Sequence, residues 1–329
     1  MIGLALLAIG TAASADVVLV EEGKARATVV LPADPSPGYH FAAQELVDHI
    51  KIATGAALPV VEEGGAVTGV AIRIAESETE LPTDGFEVSV ASDGIQLAGS
   101  NPLGRLYAVY GFLEQEVGVR WLTPAENGTH VPQTETLAVS EGTREAAPSF
   151  RLRMFFARTD ESALWALRNR INGIFPIEWA EKVDGDLAYL PPGIGRGIHS
   201  FTDLLPNEKH FADHPEYYPL INGERRTISI RTGQLCTSNP AVVDIVAARV
   251  KAYFDERPNA RIFSVAPNDG KGWCECDNCR AVDEELGGGR TWSEDKSTPV
   301  TTDRLMDFLN KVAEAGLADH PDKTIVTLS

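Results

Sequence analysis

Several signatures are missing from this sequence. It has no Gly-x-Gly-x-x-Gly fingerprint and no P-loop, no His-Glu-x-x-His and no Gly-x-Ser-x-Gly elbow. Those absences remove the sequence grounds for a dinucleotide fold, a nucleotide hydrolase, a zinc protease or an α/β-hydrolase. Positive charge is scarce: 29 Lys and Arg stand against 47 Asp and Glu, a net charge of −18. A phosphate backbone or an anionic membrane surface would repel such a chain, so nucleic acid is not an expected partner. No low-complexity tract or internal repeat is present. The hydrophobic share of 43% and charged share of 23% are those of a globular protein. At 329 residues the chain suits two domains of roughly 150 residues each.

The first fifteen residues, MIGLALLAIGTAASA, are apolar, too short to span a bilayer, and end in the small-x-small pattern Ala13-Ser14-Ala15. They read as a signal peptide over 1–15, with a buried N-terminal helix as the alternative. Export implies a secreted or periplasmic protein with no membrane association after signal cleavage. It also implies an oxidising compartment, in which four cysteines could form two disulfides.

Beyond the signal, VVLVEE and ARATVVLP are β-branched runs around Gly23 and predict a hairpin. Phe41, Leu46, Val47, Ile50 and Ala53 recur at helical spacing, and Gly55 falls where a left-handed C-cap belongs. VAIRIAE, FEVSVAS and IQLAGS read as strands, the last two joined at Asp93-Gly94. Asn101 and Pro102 open a helix that Gly118 stops. These elements make a small α/β sandwich domain over 16–140. The polar, turn-rich stretch from Pro124 to Pro148 predicts a boundary near 148. From 149 to 329 strands alternate with helices, as in parallel βα units: RLRMFF, DESALWALRNRI, GIFPI, a helix from Pro240 to Glu256, RIFSVAP, a helix from Asp303 to Ala318, and TIVTLS. A closed (β/α)8 barrel needs roughly 250 residues, so a truncated barrel is expected there.

In RIFSVAPNDG an apolar run delivers Asn268 and Asp269 at its C-terminal end, where barrel loops hold catalytic groups. Asp269 is the first catalytic candidate and Glu275 the neighbouring alternative; an Asx turn that merely reverses the chain is the plain reading of Asn-Asp-Gly. Cys274, Cys276 and Cys279 form C-x-C-x2-C, and Cys236 lies in QLCTSNP. Four thiolates suit a closed structural zinc site, while two disulfides or free thiols remain open. No organic cofactor is expected. His199, His214, Glu216 and Tyr217 lie in long loops suited to a substrate pocket, with Asn268 beside them. Tyr218, Trp165, Trp179 and Phe201 offer further faces for sugar stacking, or else core packing. Arg151, Arg153, Arg158, Arg168 and Arg170 could grip a carboxylate or sit on solvated faces.

Together, YHFAAQELVDHIKIATGAALPV, GSNPLGRLYAVYGFLEQEVGVRWLTP, HPEYYPLING, QLCTSNP and PNDGKGWCECDNC resemble one bacterial family, the proteins with the DUF4838 domain. Their smaller first domain is similar to the N-terminal domains of family 67 α-glucuronidases and family 20 β-hexosaminidases. The group includes family 163 endo-β-N-acetylglucosaminidases. The resemblance therefore implies a (β/α)8 catalytic domain, a glycan or oligosaccharide substrate, and a pair of carboxylates. Asp269 would be the first of the pair, and the second would be expected on a later strand. A non-catalytic carbohydrate-binding protein is the alternative from another class.

Overall fold

The computed structural model describes residues 16–153, 155, 157, 159–175, 179, 182–184, 188–189, 199–258, 260–288 and 300–328. The expected signal over 1–15 and Arg158 lie outside them. The chain forms two compact units, Met1–Leu187 and Ala188–Ser329. No described helix is long and apolar enough to cross a membrane.

The first unit opens with β1 (Asp16–Glu21), which turns at Glu22 and Gly23 into β2 (Lys24–Ala25). The hairpin predicted around Gly23 is therefore formed by β1 and β2. The next run, β3 (Ala27–Leu31), leaves for another sheet. All five of its residues are buried, as expected of a strand covered on both faces. After β3 come α1 (Pro37–Thr54), β4 (Val60–Glu62), β5 (Val70–Glu76), β6 (Phe86–Ala91), β7 (Gly94–Gly99) and α2 (Pro102–Phe112). The remainder comprises β8 (Arg120–Trp121), β9 (Thr129–His130), β10 (Leu137–Ser140), β11 (Gly142–Ala146), α3 (Asp160–Arg168) and β12 (Gly173–Phe175).

Six strands make the main sheet in the order β11-β6-β7-β5-β3-β4. The β4, β3, β5 and β7 ladders are parallel, and β6 and β11 add antiparallel strands at one side. Local chemistry sets the helix ends. Gly55 adopts φ 78° and closes α1 through its N–H to the Lys51 carbonyl. The Asn101 side chain accepts from Gly104 N at 2.8 Å, and Pro102 occupies the first turn, where its missing N–H costs nothing. A π turn over Leu113–Val117 extends α2 to Gly118 at φ 82°. Leu46, Ile50, Leu103, Leu106, Tyr107 and Tyr110 bury the facing sides of α1 and α2.

The first unit runs past the polar segment before Pro148, because α3 packs into the same core. Ala163, Ala166 and Leu167 are fully buried there. Arg168 grips Glu45 of α1 with two bonds, at 2.8 and 2.9 Å. Beside this pair, His49 is 3% exposed, with Nδ1 2.7 Å from the Glu45 carbonyl and Nε2 accepting from Trp121 Nε1 at 3.0 Å. A carbonyl can only accept and an indole N–H can only donate, so the ring is neutral with its proton on Nδ1.

The second unit holds β13 (Ala188–Tyr189), α4 (Phe201–Leu204), α5 (Asn207–His210), β14 (Leu220–Ile221), β15 (Glu224–Arg225), α6 (Pro240–Glu256), β16 (Ile262–Ser264), α7 (Asp277–Gly287), α8 (Thr302–Gly316) and β17 (Thr324–Val326). Its core joins Val242, Val246, Val250 and Phe254 of α6 to Leu305, Phe308 and Val312 of α8. Gly316 permits that approach, since a Cβ there would lie 3.0 Å from the Ala247 carbonyl. Strands β16 and β17 pair in parallel, Ile262 with Thr324 through Ser264 with Val326. The architecture is mixed α/β; among the described residues no closed sheet forms.

Burial is the main cause holding the His49 imidazole below its ordinary range. The unfolded chain therefore takes the proton first as pH falls through about 6.5. The stability of this contact is fully present above that pH and is lost as pH drops toward the lowered folded value. The urea midpoint of the full chain should fall between pH 7 and pH 5, and His49→Gln should shrink that fall. An equal fall in the variant would remove His49 as its source.

Candidate functional site

Strand β16 carries the chain into its end loop through Phe263, Ser264, Val265 and Ala266, all buried. The ladder with β17 continues one residue further, from Val265 N to the Val326 carbonyl at 3.0 Å. Ala266 and Ser200 then bond reciprocally, N–H to Oγ at 2.9 Å and carbonyl to N–H at 3.1 Å. This exchange lays residues 199–202 along the end of β16. His199 Nδ1 lies 2.7 Å from the Pro267 carbonyl. The carbonyl can only accept, so Nδ1 carries a proton and Nε2 is the ring atom left to exchange one.

Asn268 is 3% exposed and its polar groups are engaged. Its N–H donates to Gln234 Oε1 at 2.8 Å and its carbonyl accepts from Gln234 Nε2 at 2.8 Å. Its side chain donates to the Gly233 carbonyl at 2.8 Å and accepts from Thr202 Oγ1 at 3.1 Å. The expected sugar-contacting Asn268 is thus placed inside the loop. Asp269 follows with its side chain exposed and its N–H on the Ile230 carbonyl at 2.7 Å. Gly270 has φ 127°, and a Cβ there would sit 2.4 Å from the Arg231 carbonyl oxygen. Bonds from Gly233 N to Lys271 O and from Gln234 N to Gly272 O complete the pairing of the two loops.

Glu275 serves a different turn. Its N–H donates to the Leu220 carbonyl, and its carboxylate accepts from Asn222 N at 3.1 Å, with Arg280 3.9 Å away. His214 stacks on Tyr217 with ring centroids 4.6 Å apart and bonds Glu216 through Nδ1 at 3.0 Å, both side chains half exposed. The Glu216 carboxyl lies below the usual range, first because its own backbone N–H bonds it and then because His214 does.

The other aromatics are core. Tyr218 is fully buried, its hydroxyl donating to the carbonyls of Leu205 and Pro206, and burial pushes its pKa up to about 12. Phe201 packs edge-on to Phe308. In the first unit Trp179 is buried against Asp160, and Trp165 donates to the Trp121 carbonyl. Arg153, Arg168 and Arg170 pair with Asp84, Glu45 and Glu114, so they hold that unit together and do not await a substrate carboxylate. A cavity of about 390 Å³ in the first unit is lined by Phe86, Val88, Gly111 and Arg170; of the candidates named from sequence only Arg170, already paired with Glu114, borders it.

The four cysteines meet. Cys236, Cys274 and Cys279 are buried and Cys276 is partly so; their sulfurs all lie within 4.8 Å of one another. Cys236 Sγ is 3.6 Å from Cys274, 3.7 Å from Cys276 and 3.8 Å from Cys279. A disulfide needs about 2.05 Å. All four are free, so the alternative of two disulfides is not formed in this structure. The cluster borders the sugar-loop candidates, since Cys236 N donates to the Tyr217 carbonyl at 2.9 Å. Sequence reasoning missed Gln234, whose position two residues before Cys236 was its only local mark.

The sequence matches the model of a family described as Domain of unknown function (DUF4838) over residues 123–329. No curated protein matches the chain. Among solved structures, a family GH115 4-O-methyl-α-glucuronidase with specificity for decorated arabinogalactans gives a TM-score of 0.51 at 13% identity, covering 94% of this chain and 42% of that one. The N-acetyl-β-hexosaminidase of Streptomyces plicatus gives 0.49 at 15% identity, covering 96% and 63%. The GH20 β-N-acetylhexosaminidase of Streptomyces coelicolor A3(2) gives 0.45 at 17%, with the same coverage. The chain spans about 63% of the length of those hexosaminidases. The glucuronidase likeness is one of fold.

Gly270 and Gly288 both have positive φ, but only Gly270 has a carbonyl in the space of a Cβ. Gly288→Ala should cost on the order of 1 kcal/mol, whereas Gly270→Ala adds a backbone overlap to about 1–3 kcal/mol of conformational strain. Urea unfolding of the full chain should rank Gly270→Ala as clearly the less stable variant. Equal losses would mean that the loop yields easily.

Proposed function

The chain belongs to the DUF4838 family, and from that membership we propose that it is a secreted glycoside hydrolase-like protein acting on complex glycans, with Asp269 as its acid/base carboxylate. The observation that carries the reading is the contrast between neighbours: Asp269 is exposed at the C-terminal end of a parallel strand, while Asn268 before it is buried and fully bonded. A clamped backbone holds one unbonded carboxyl at a fixed place, from which it can reach a glycosidic oxygen. Glu275 is less suited, because its carboxylate already receives the Asn222 N–H.

In this reading β16 and β17 are two strands of a (β/α)8-type catalytic domain, and residues 1–15 direct export. Asp269 in its protonated form donates to the leaving oxygen, and a second carboxylate on a later strand attacks or stabilises the oxocarbenium-like centre. His199 presents Nε2 near the same strand end, because Nδ1 is occupied by Pro267. Endo-β-N-acetylglucosaminidase activity on N-glycans is the specific form of the proposal. The half-exposed His214–Tyr217 stack favours a second reading, glycan binding without cleavage.

The test is sugar release from N-glycan, hexosaminide and glucuronoxylan substrates. Asp269→Asn should lower kcat/KM by roughly 10²- to 10⁴-fold without changing thermal stability, because the side chain is exposed. Glu275→Gln should keep most of the activity. Unchanged turnover in Asp269→Asn would remove it from the role, and saturable binding with no release by the wild-type chain would establish the binding reading.

A further inference from the structure

We propose that Cys236, Cys274, Cys276 and Cys279 bind one zinc ion as a closed tetrathiolate site, whether or not the chain cleaves glycans. The first argument is geometric. Zinc holds four sulfurs tetrahedrally at about 2.3 Å, which sets them about 3.8 Å apart. From Cys236 the other three sulfurs lie at 3.6, 3.7 and 3.8 Å. One ion at the centre of the four satisfies all of these separations at once.

Packed neutral thiols can also approach this closely, so the surroundings of the sulfurs decide between the two. Cys274 Sγ receives the Leu220 N–H at 3.3 Å and Arg225 Nη1 at 3.5 Å. Cys279 Sγ lies 3.0 Å from Ser238 Oγ. Donors converging on sulfur stabilise thiolates and orient metal ligands; a neutral thiol gains little from them. Cys276 is the N-cap of α7 and Cys279 lies in its first turn, so both sit at the positive end of the helix dipole, where a negatively charged metal–thiolate centre is favoured.

Charge supports the same conclusion. Four thiolates and a divalent ion carry a net −2, which an interior must balance. Arg225 touches Cys274 directly. Arg304 is 1% exposed, donates to the Cys274 carbonyl at 2.9 Å, and has Asp283 as an ion-pair partner at 3.1 Å. Asp283 pairs with Arg304, while Arg225, whose Nη1 also donates to the Tyr218 carbonyl at 2.6 Å, lies against Cys274 with no carboxylate paired to it among the described residues. The ligand set is all sulfur, which selects zinc over hard cations such as calcium or magnesium. All four positions are filled by protein, so the ion is closed to substrate and its work is structural. It fastens the loop before α6, the Leu220 turn and the segment leading out of the Asp269 loop to one point.

The test uses the full chain purified without chelator. Elemental analysis should give one zinc per chain, and the four thiols should react only after the ion is withdrawn under denaturation. Cobalt in place of zinc should give the absorption of a tetrahedral tetrathiolate. Cys276→Ser, at the least buried ligand, should lose the stoichiometric zinc. Because a ligand variant can fail to fold, Arg225→Met is the second arm: chelator competition should show zinc held about 10- to 100-fold more weakly. Metal-free protein with four reactive thiols, a mass deficit from disulfides, iron in place of zinc, or unchanged affinity in Arg225→Met would each overturn the proposal. None of these readouts depends on glycan cleavage.

Discussion

A buried amide must pair its donors and acceptors or cost the fold its desolvation, and Asn268 with Gln234 meets that constraint reciprocally. Everything at the end of β16 follows from it. Once Gln234 has taken the backbone N–H and carbonyl of Asn268, the loops 229–236 and 267–272 are locked in register, and Gly233 and Gly272 are forced close together. Gly270 then has to pass beside the Arg231 carbonyl with no room for a side chain. Thr202 and Ser200 extend the same network to the segment carrying His199. The outcome is a loop whose inner polar groups are spent on one another, leaving the Asp269 side chain directed to solvent.

The first unit solves the same problem with charge. Glu45, buried on α1, is matched by the two-pronged grip of Arg168, and its carbonyl is matched by His49. Breaking such a pair by removing one partner strands the other charge in the interior, which costs more than the pair contributes. That asymmetry explains why α3 stays with the first core although a turn-rich stretch separates it in sequence. Asp84, fully buried, plays a comparable part for residues 153 and 172 through Arg153 and Asn172. The substrate-gripping role considered for Arg153 and Arg168 fails for the same reason: each guanidinium is already committed to a buried carboxylate.

What the sequence discloses depends on the range of the interaction. The ends of α1 and α2 were readable because Gly55, Asn101, Pro102 and Gly118 act within one turn. The β6–β7 hairpin was readable for the same reason, with its turn one residue earlier than Asp93-Gly94. The fate of β3 was harder. Its apolar run ATVVL has no alternation, and that continuity signals a strand covered on both faces better than a hairpin arm. The cysteine cluster was visible because three of its members lie within six residues. Gln234 was not, since its partners are 34 and 36 residues away and nothing local marks a glutamine as buried. The aromatic residues show the limit of composition. Tyr217 and Tyr218 are adjacent, yet one stacks on half-exposed His214 while the other is sealed under two carbonyls.

Asp269 and Glu275 lie six residues apart on one loop system, and the contrast between them shows how backbone geometry assigns different work to similar groups. Glu275 follows Cys274, whose sulfur is fastened beside Leu220. That fastening brings the Glu275 N–H to the Leu220 carbonyl and the carboxylate to the Asn222 N–H, so the side chain closes the Asn222-Gly223 turn. Asp269 lies upstream of the cysteines, and the clasp takes the polar groups of its neighbours while its own backbone goes to Ile230. The Glu275 carboxylate is held to its turn through Oε2. The Asp269 side chain closes no such turn and stays exposed. The cysteine cluster thus contributes to the candidate site without touching it: by committing the residues after Gly272 to a fixed path, it separates a structural carboxylate from an available one.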